Sequence, residues 1–106
     1  MDNMYIIRAK VGKRKTWCPS FVKEGDVVYL DAEGFIGTRW TYFDNCATMF
    51  KSLDKAVASL KEHEDELFNL ANVAHSFVCD KNTVEIIELA PKVVMRSGDI
   101  WQWEQE

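Results

Sequence analysis

Residues 35–71, FIGTRWTYFDNCATMFKSLDKAVASLKEHEDELFNLA, decide the fold class. Phe35–Phe43 is rich in aromatic and β-branched residues, which favour a pleated strand. Ile36, Thr38, Trp40 and Tyr42 fall on one face, and Phe35, Gly37, Arg39, Thr41 and Phe43 on the other. Both faces are partly apolar, so this strand belongs in the centre of a sheet or under a helix. Asp44-Asn45 breaks it. The apolar spacing then changes. Leu53, Ala56, Val57 and Leu60 follow the i, i+3, i+4, i+7 rule, and Leu67, Phe68, Leu70 and Ala71 resume the stripe. Ser52 is the expected N-cap, with Asp54 in the first turn and Asn72 as a stop. One helix over about residues 53–71 is the simplest reading. A break near His63 is the alternative, because Glu62–Glu66 interrupts the stripe.

Strands flank this unit on both sides. Upstream, Met4–Val11 alternates, with Tyr5, Ile7, Ala9 and Val11 on one face and Arg8 and Lys10 on the other. Gly12 with Lys13-Arg14-Lys15 reads as a turn, and Thr16-Trp17-Cys18 as a short return strand ended by Pro19. Val27–Asp31 is a further strand, closed by a hairpin loop at Ala32-Glu33-Gly34. Downstream, Ala74–Cys79 and Val84–Ala90 read as a hairpin turning at Asp80–Thr83, with Lys92–Met95 as an edge. Strands segregated from a helix predict an α+β domain. Its sheet is mostly antiparallel, of about five to six strands, with the long helix on one face.

The 106 residues form a single domain, 1–106, whose tail 97–106 is either loose or clamped back on the core. The chain is 47% hydrophobic and 28% charged, which excludes a disordered segment or a low-complexity linker. The longest apolar runs, Met4–Ile7 and Val27–Leu30, are too short for a membrane span or a signal-peptide core. Cys18, Cys46 and Cys79 are odd in number and have no C-x-x-C spacing, which predicts reduced, buried thiols in a cytoplasmic protein.

Several chemistries lack their sequence signature. His63, His75 and the cysteines do not fall at zinc spacings, and no phosphate loop or nucleophile elbow is present. No catalytic residues, metal or cofactor are therefore assigned. The net charge of −4 disfavours a dedicated nucleic-acid binder. Two local features stand out against that average. Glu62, Asp65 and Glu66, joined in the same reading by Glu85 and Glu88, could form an acidic face that docks on a basic partner. The basic turn 10–15, with Lys13, Arg14 and Lys15 beside Trp17, could instead hold a phosphate and stack a base. Trp101 and Trp103 share one face of an extended tail. They either clamp on the domain or serve as interface anchors.

The segment Ala47-x-x-Phe50-x-Ser52-Leu53-Asp54-x-Ala56-x-x-x-Leu60, between an aromatic strand and Val84–Leu89, resembles small proteins of bacteriophages and prophages of Gram-positive bacteria. The resemblance covers roughly residues 4–90 and excludes the basic run and the tryptophan tail. It implies an anti-CRISPR or other anti-defence inhibitor, without an assigned chemistry. The expected partner is a host protein or ribonucleoprotein complex, in the cytoplasm of a bacterial host. Steric occlusion by the acidic surface would be the mechanism. Sequence-specific nucleic-acid or membrane binding is not expected, and a homo-oligomer is compatible with the sequence. The second reading is a small-ligand or signalling-nucleotide sponge built on the basic turn and Trp17.

Overall fold

The computed structural model describes residues 4–34, 37–71, 76–88 and 92–103. Strand β1 (Tyr5–Arg14) is the axis of the sheet. It pairs antiparallel with β2 (Val27–Gly34) on one side, and β2 pairs with β3 (Gly37–Thr41). On the other side β1 carries two strands in succession. β4 (Phe77–Cys79) pairs with its distal half, and β5 (Glu85–Glu88) with its proximal half. β6 (Lys92–Arg96) adds the outer edge, giving the order β3-β2-β1-β5-β6. The fold is an antiparallel α+β domain.

Three sequence expectations are corrected by this topology. The basic run is not a turn, because β1 continues through Arg14. Gly12 is needed where β1 bulges: an added Cβ would meet the Asp80 backbone nitrogen at 3.0 Å. Residues 16–18 do not return as a strand. They open a stack of turns closed by Cys18 N–H to Lys15 O, Val22 N–H to Pro19 O and Asp26 N–H to Lys23 O. Buried Val22 plugs this loop, and Arg14 Nη1 donates to its carbonyl. Gly25 adopts φ +90°, open to glycine at little cost. Finally, β4 and β5 are not a hairpin. A 3-10 turn at Lys81–Thr83 carries the chain past Lys10 from one pairing to the next, with Asp80 N–H donating to Lys10 O and Lys10 N–H to Thr83 Oγ1.

The expected Ala32–Gly34 loop lies within β2, which rejoins β3 at the Gly34–Gly37 pair. Between β3 and the helices, a 3-10 turn at Asp44–Cys46 leads into a segment that wedges beside the splayed ends of β1 and β2. Thr48 N–H donates to Leu30 O, Ala32 N–H to Thr48 Oγ1, and Phe50 exchanges both backbone bonds with Tyr5.

The expected long helix is divided. α1 (Leu53–Glu62) starts at Ser52, whose Oγ accepts from Lys55 N–H, and ends at His63. α2 (Glu64–Phe68) comes directly after it. His63 departs from helical geometry at φ −107°, ψ 21°, so the alternative break is the one realised. The helix ends earlier than Ala71, where Asn69 Oδ1 accepts from Ala71 N–H. Asn72 and His75 lie outside the described residues.

Ala56, Val57, Leu60 and Leu67 bury completely or nearly so against Ile7, Ala9, Val11, Val28, Leu30 and Ile86. Full burial of a valine or leucine side chain is worth about 1.5–3 kcal/mol, so Val57, Leu60 and Leu67 fix the helices on one sheet face.

Candidate functional site

The tail carries two of the candidate anchors. Ser97–Gln102 forms α3, with Ile100 fully buried. Trp101 lies in α3 and Trp103 just beyond its end, and they meet different neighbours, so the shared face of an extended tail does not exist. Trp101 meets Phe68 edge-on at 5.4 Å, donates from Nε1 to Lys81 O at 3.1 Å, and lies under Lys81 Nζ at 4.3 Å. Phe68 in turn meets Trp40 at 5.9 Å. Trp103 Nε1 donates to Asp54 Oδ1 at 2.8 Å, at the start of α1. Both indoles are half-buried, and residues 97–103 clamp on the domain.

The proposed acidic face is split. Glu62, Asp65 and Glu66 are exposed on α1 and α2, and among the described residues no lysine or arginine pairs with them. His63 Nδ1 stands 3.7 Å from Glu66. Glu64, between them, is held by Lys81. Part of this acidity serves the fold, since Glu64, Asp65 and Glu66 occupy the first turn of α2 and favour its dipole. Glu85 does not belong to this surface. It lies on the sheet face away from the helices, paired with Arg8 at 2.9 Å and near Arg96 at 3.7 Å. Glu88 ends β5 beside a groove on the sheet.

The basic candidates stay together at the end of β1. Lys13 and Arg14 are exposed, and Lys15 Nζ lies 5.6 Å from the Trp17 ring. Trp17 is 61% exposed. Sequence reasoning did not single out Phe21 and Phe43, which are 70% and 66% exposed, or Met49. Phe21 leans on Tyr42, with ring centroids 6.3 Å apart. The signal for Phe43 was available, because strand alternation opposes it to Trp40 and Tyr42.

Among the described residues three titrating groups are shifted. The Tyr42 hydroxyl donates to Asp26 Oδ2 at 2.8 Å, and Lys23 N–H donates to the same oxygen. These bonds hold the Asp26 carboxyl below its ordinary range. Burial, then the bond to Asp26, pushes Tyr42 up to about 12. Burial also raises the Cys79 thiol, with Asp80 adding to it. None of the three moves toward neutrality, where a general acid or base works best. Cys18 is half-buried and Cys46 exposed, so the expectation of buried thiols holds only for Cys79. Among the described residues no three His, Cys, Asp or Glu side chains converge on a possible metal position, and no helix is long and apolar enough to cross a membrane.

No family model matches this chain, and comparison with curated proteins and with solved structures gave no match.

Proposed function

We propose that this is a non-enzymatic binding protein that blocks a host macromolecule by docking an acidic surface on a basic region of it. The observation that supports this is the exposed set Glu62, Asp65 and Glu66, left without a lysine or arginine partner among the described residues. A folded chain gains little from unpaired surface carboxylates beyond solubility and the helix dipole. They do steer a cationic partner and reject anionic ones. The desolvated contact area would come from exposed aromatic groups such as Phe21 and Phe43, not from Trp101 and Trp103. The resemblance carried by Ala47, Phe50 and Ser52–Leu60 supports the class of target, a bacterial defence protein or its nucleic-acid complex. The test is the double reversal Glu62→Lys with Glu66→Lys. Partner binding should weaken at least about tenfold at low salt, and the difference should shrink as salt rises. Unchanged affinity would sink the electrostatic reading.

A second reading draws on the stacked Lys15–Trp17 pair with Lys13 and Arg14. It is a ligand-binding protein for an aromatic anion such as a nucleotide. A nucleotide at about 100 times its Kd would stabilise the fold by about 2.7 kcal/mol. A nucleotide panel that leaves Tm unchanged removes this reading.

A further inference from the structure

Among the described residues, no α-helix covers the sheet face turned away from α1 and α2. The strand register places one row of side chains across this face: Tyr29 of β2, Arg8 of β1, Glu85 of β5 and Arg96 of β6. Neighbouring strands lie about 4.8 Å apart, so the row runs about 14 Å. Lys10 and exposed Val27 form the next pair along β1 and β2 on the same face. On the other side of the row, Ile6 and Ile87 pair under Ala47, and the segment 44–49 leaves a groove of about 300 Å³ there, lined also by Tyr29 and Met49.

The charge on this face is positive where the row crosses β1, β5 and β6. Arg8 Nε lies 2.9 Å from Glu85 Oε1, and Arg96 Nε lies 3.7 Å from Glu85 Oε2. One carboxylate thus draws two guanidiniums together and cannot neutralise both. Among the described residues, the Nη groups of these arginines bond to no protein atom, and Lys10 Nζ makes no ion pair. Three cations therefore face one carboxylate. Arg39 and Asp31 compensate each other at 3.3 Å nearer β3. Asp44 lines the groove beyond Arg8 and makes no ion pair with it. The whole chain carries −4, so this patch reverses the average sign.

Guanidiniums already held through Nε offer their Nη donors to phosphate oxygens, which accept such paired bonds well. Shape then decides the kind of phosphate ligand. The hollow beside Lys10, Glu85 and Arg96, bordered by Asn82, Thr83 and Ser97, is only about 220 Å³. Pockets that enclose a small ligand run from about 300 to 1,000 Å³. An uncovered sheet with cations in a row and an aromatic ring at one end instead takes an extended strand, phosphates on the cations and a base on the ring.

We infer that this face binds single-stranded nucleic acid, with Arg8, Lys10 and Arg96 on its phosphates and Tyr29 against a base. Glu85 is a positioning residue for the two arginines. The inference does not draw on the acidic docking surface, which lies on the helices at the opposite side of the domain.

The test is fluorescence anisotropy of a labelled oligothymidylate of about 12 nucleotides, titrated with the full chain at several salt concentrations. Saturable binding is expected at low salt, with a log–log salt slope of about −2 for three phosphate contacts. Lys10→Gln with Arg96→Gln should weaken binding at least about tenfold and flatten that slope by about 1.4. Both side chains are exposed, and an unchanged Tm shows that the fold is intact. Tyr29→Leu keeps an apolar side chain on Ile6 and Ile87 and should weaken binding about fivefold. Wild-type affinity in either variant overturns the inference, as does the absence of saturable binding at low salt. Loss of binding in Lys13→Gln with Lys15→Gln, and none in Lys10→Gln with Arg96→Gln, would move the strand to the end of β1 and overturn it too. Displacement of the strand by inorganic phosphate at equal total phosphate would show a site for the lone anion, and likewise overturn it.

Discussion

Replacing Trp101 by alanine measures how firmly α3 holds the helical layer to the sheet. Three interactions leave with the indole. The edge-on contact with Phe68 is worth about 0.5–1.5 kcal/mol, and the hydrogen bond to Lys81 O about 1 kcal/mol. The Lys81 ammonium over the ring adds about 0.5–1 kcal/mol. Trp101 is half-buried, so the total should fall at or below the roughly 3–5 kcal/mol of a fully buried aromatic truncated to alanine. A loss of about 3 kcal/mol is expected. For a domain near 100 residues that lowers Tm by roughly 10–20 °C. The assay is urea unfolding monitored by far-ultraviolet circular dichroism, with the slope unchanged and the midpoint lowered. Trp101→Phe keeps a ring against Phe68 and loses the indole N–H, so it should cost about 1 kcal/mol. A loss below about 0.5 kcal/mol for the alanine variant would refute the clamp and return Trp101 to the surface.

Local geometry sets three further outcomes. Gly12→Ala should destabilise by about 1–3 kcal/mol in urea unfolding, because the new methyl group meets Asp80 and Cys79 backbone atoms rather than a movable side chain. Ser52→Ala should cost about 1 kcal/mol by removing the acceptor for Lys55 N–H, and Ser52→Asp should restore most of it in the same assay. The Tyr42 phenol is raised in the folded state, so its contribution is complete below pH 10 and is lost as pH rises from 10.0 towards about 12. Asp26 is depressed, so its contribution is present above the ordinary carboxylate range and is lost as pH falls through its lowered value. Tyr42→Phe should remove the highest-pH step from a phenolate absorbance titration and flatten both ends of the pH–stability curve. Persistence of that step would contradict the Tyr42–Asp26 bond.

The parts of the fold legible in the sequence are those set by local periodicity. Tyr5, Ile7, Ala9 and Val11 alternate inward because strand period alone dictates it, and Ile7, Ala9 and Val11 do bury. Ser52 caps because a hydroxyl before a helical stripe has one local use. The misread parts depend on distant backbone. Asp80–Thr83 carries sound turn chemistry, and Asp80 Oδ1 does accept from Asn82 N–H. The path of the chain beyond that turn is decided by β1, which offers one edge to β5 at Tyr5–Arg8 and to β4 at Val11–Arg14, where it bulges. Gly12 beside a run of cations looks like a turn locally, and only the approach of Cys79 and Asp80 explains it as a strand glycine. The candidate site was less legible for the same reason. Charge on Glu85 is visible in the sequence, but its neutralisation by Arg8 requires the register of β1 against β5. The groove over Ile6 and Ile87 is assembled from β1, β2, β5 and the 44–49 segment, so no contiguous motif announces it.

The most direct test of the account is a paired capture from a nuclease-treated lysate of defence-competent bacteria. Wild-type protein and the Glu62→Lys, Glu66→Lys variant are immobilised side by side, and retained proteins are identified by mass. One stoichiometric bacterial protein is expected on the wild-type matrix, depleted on the variant and released by moderate salt. Equal retention of that protein on both matrices, or none on either, would contradict it.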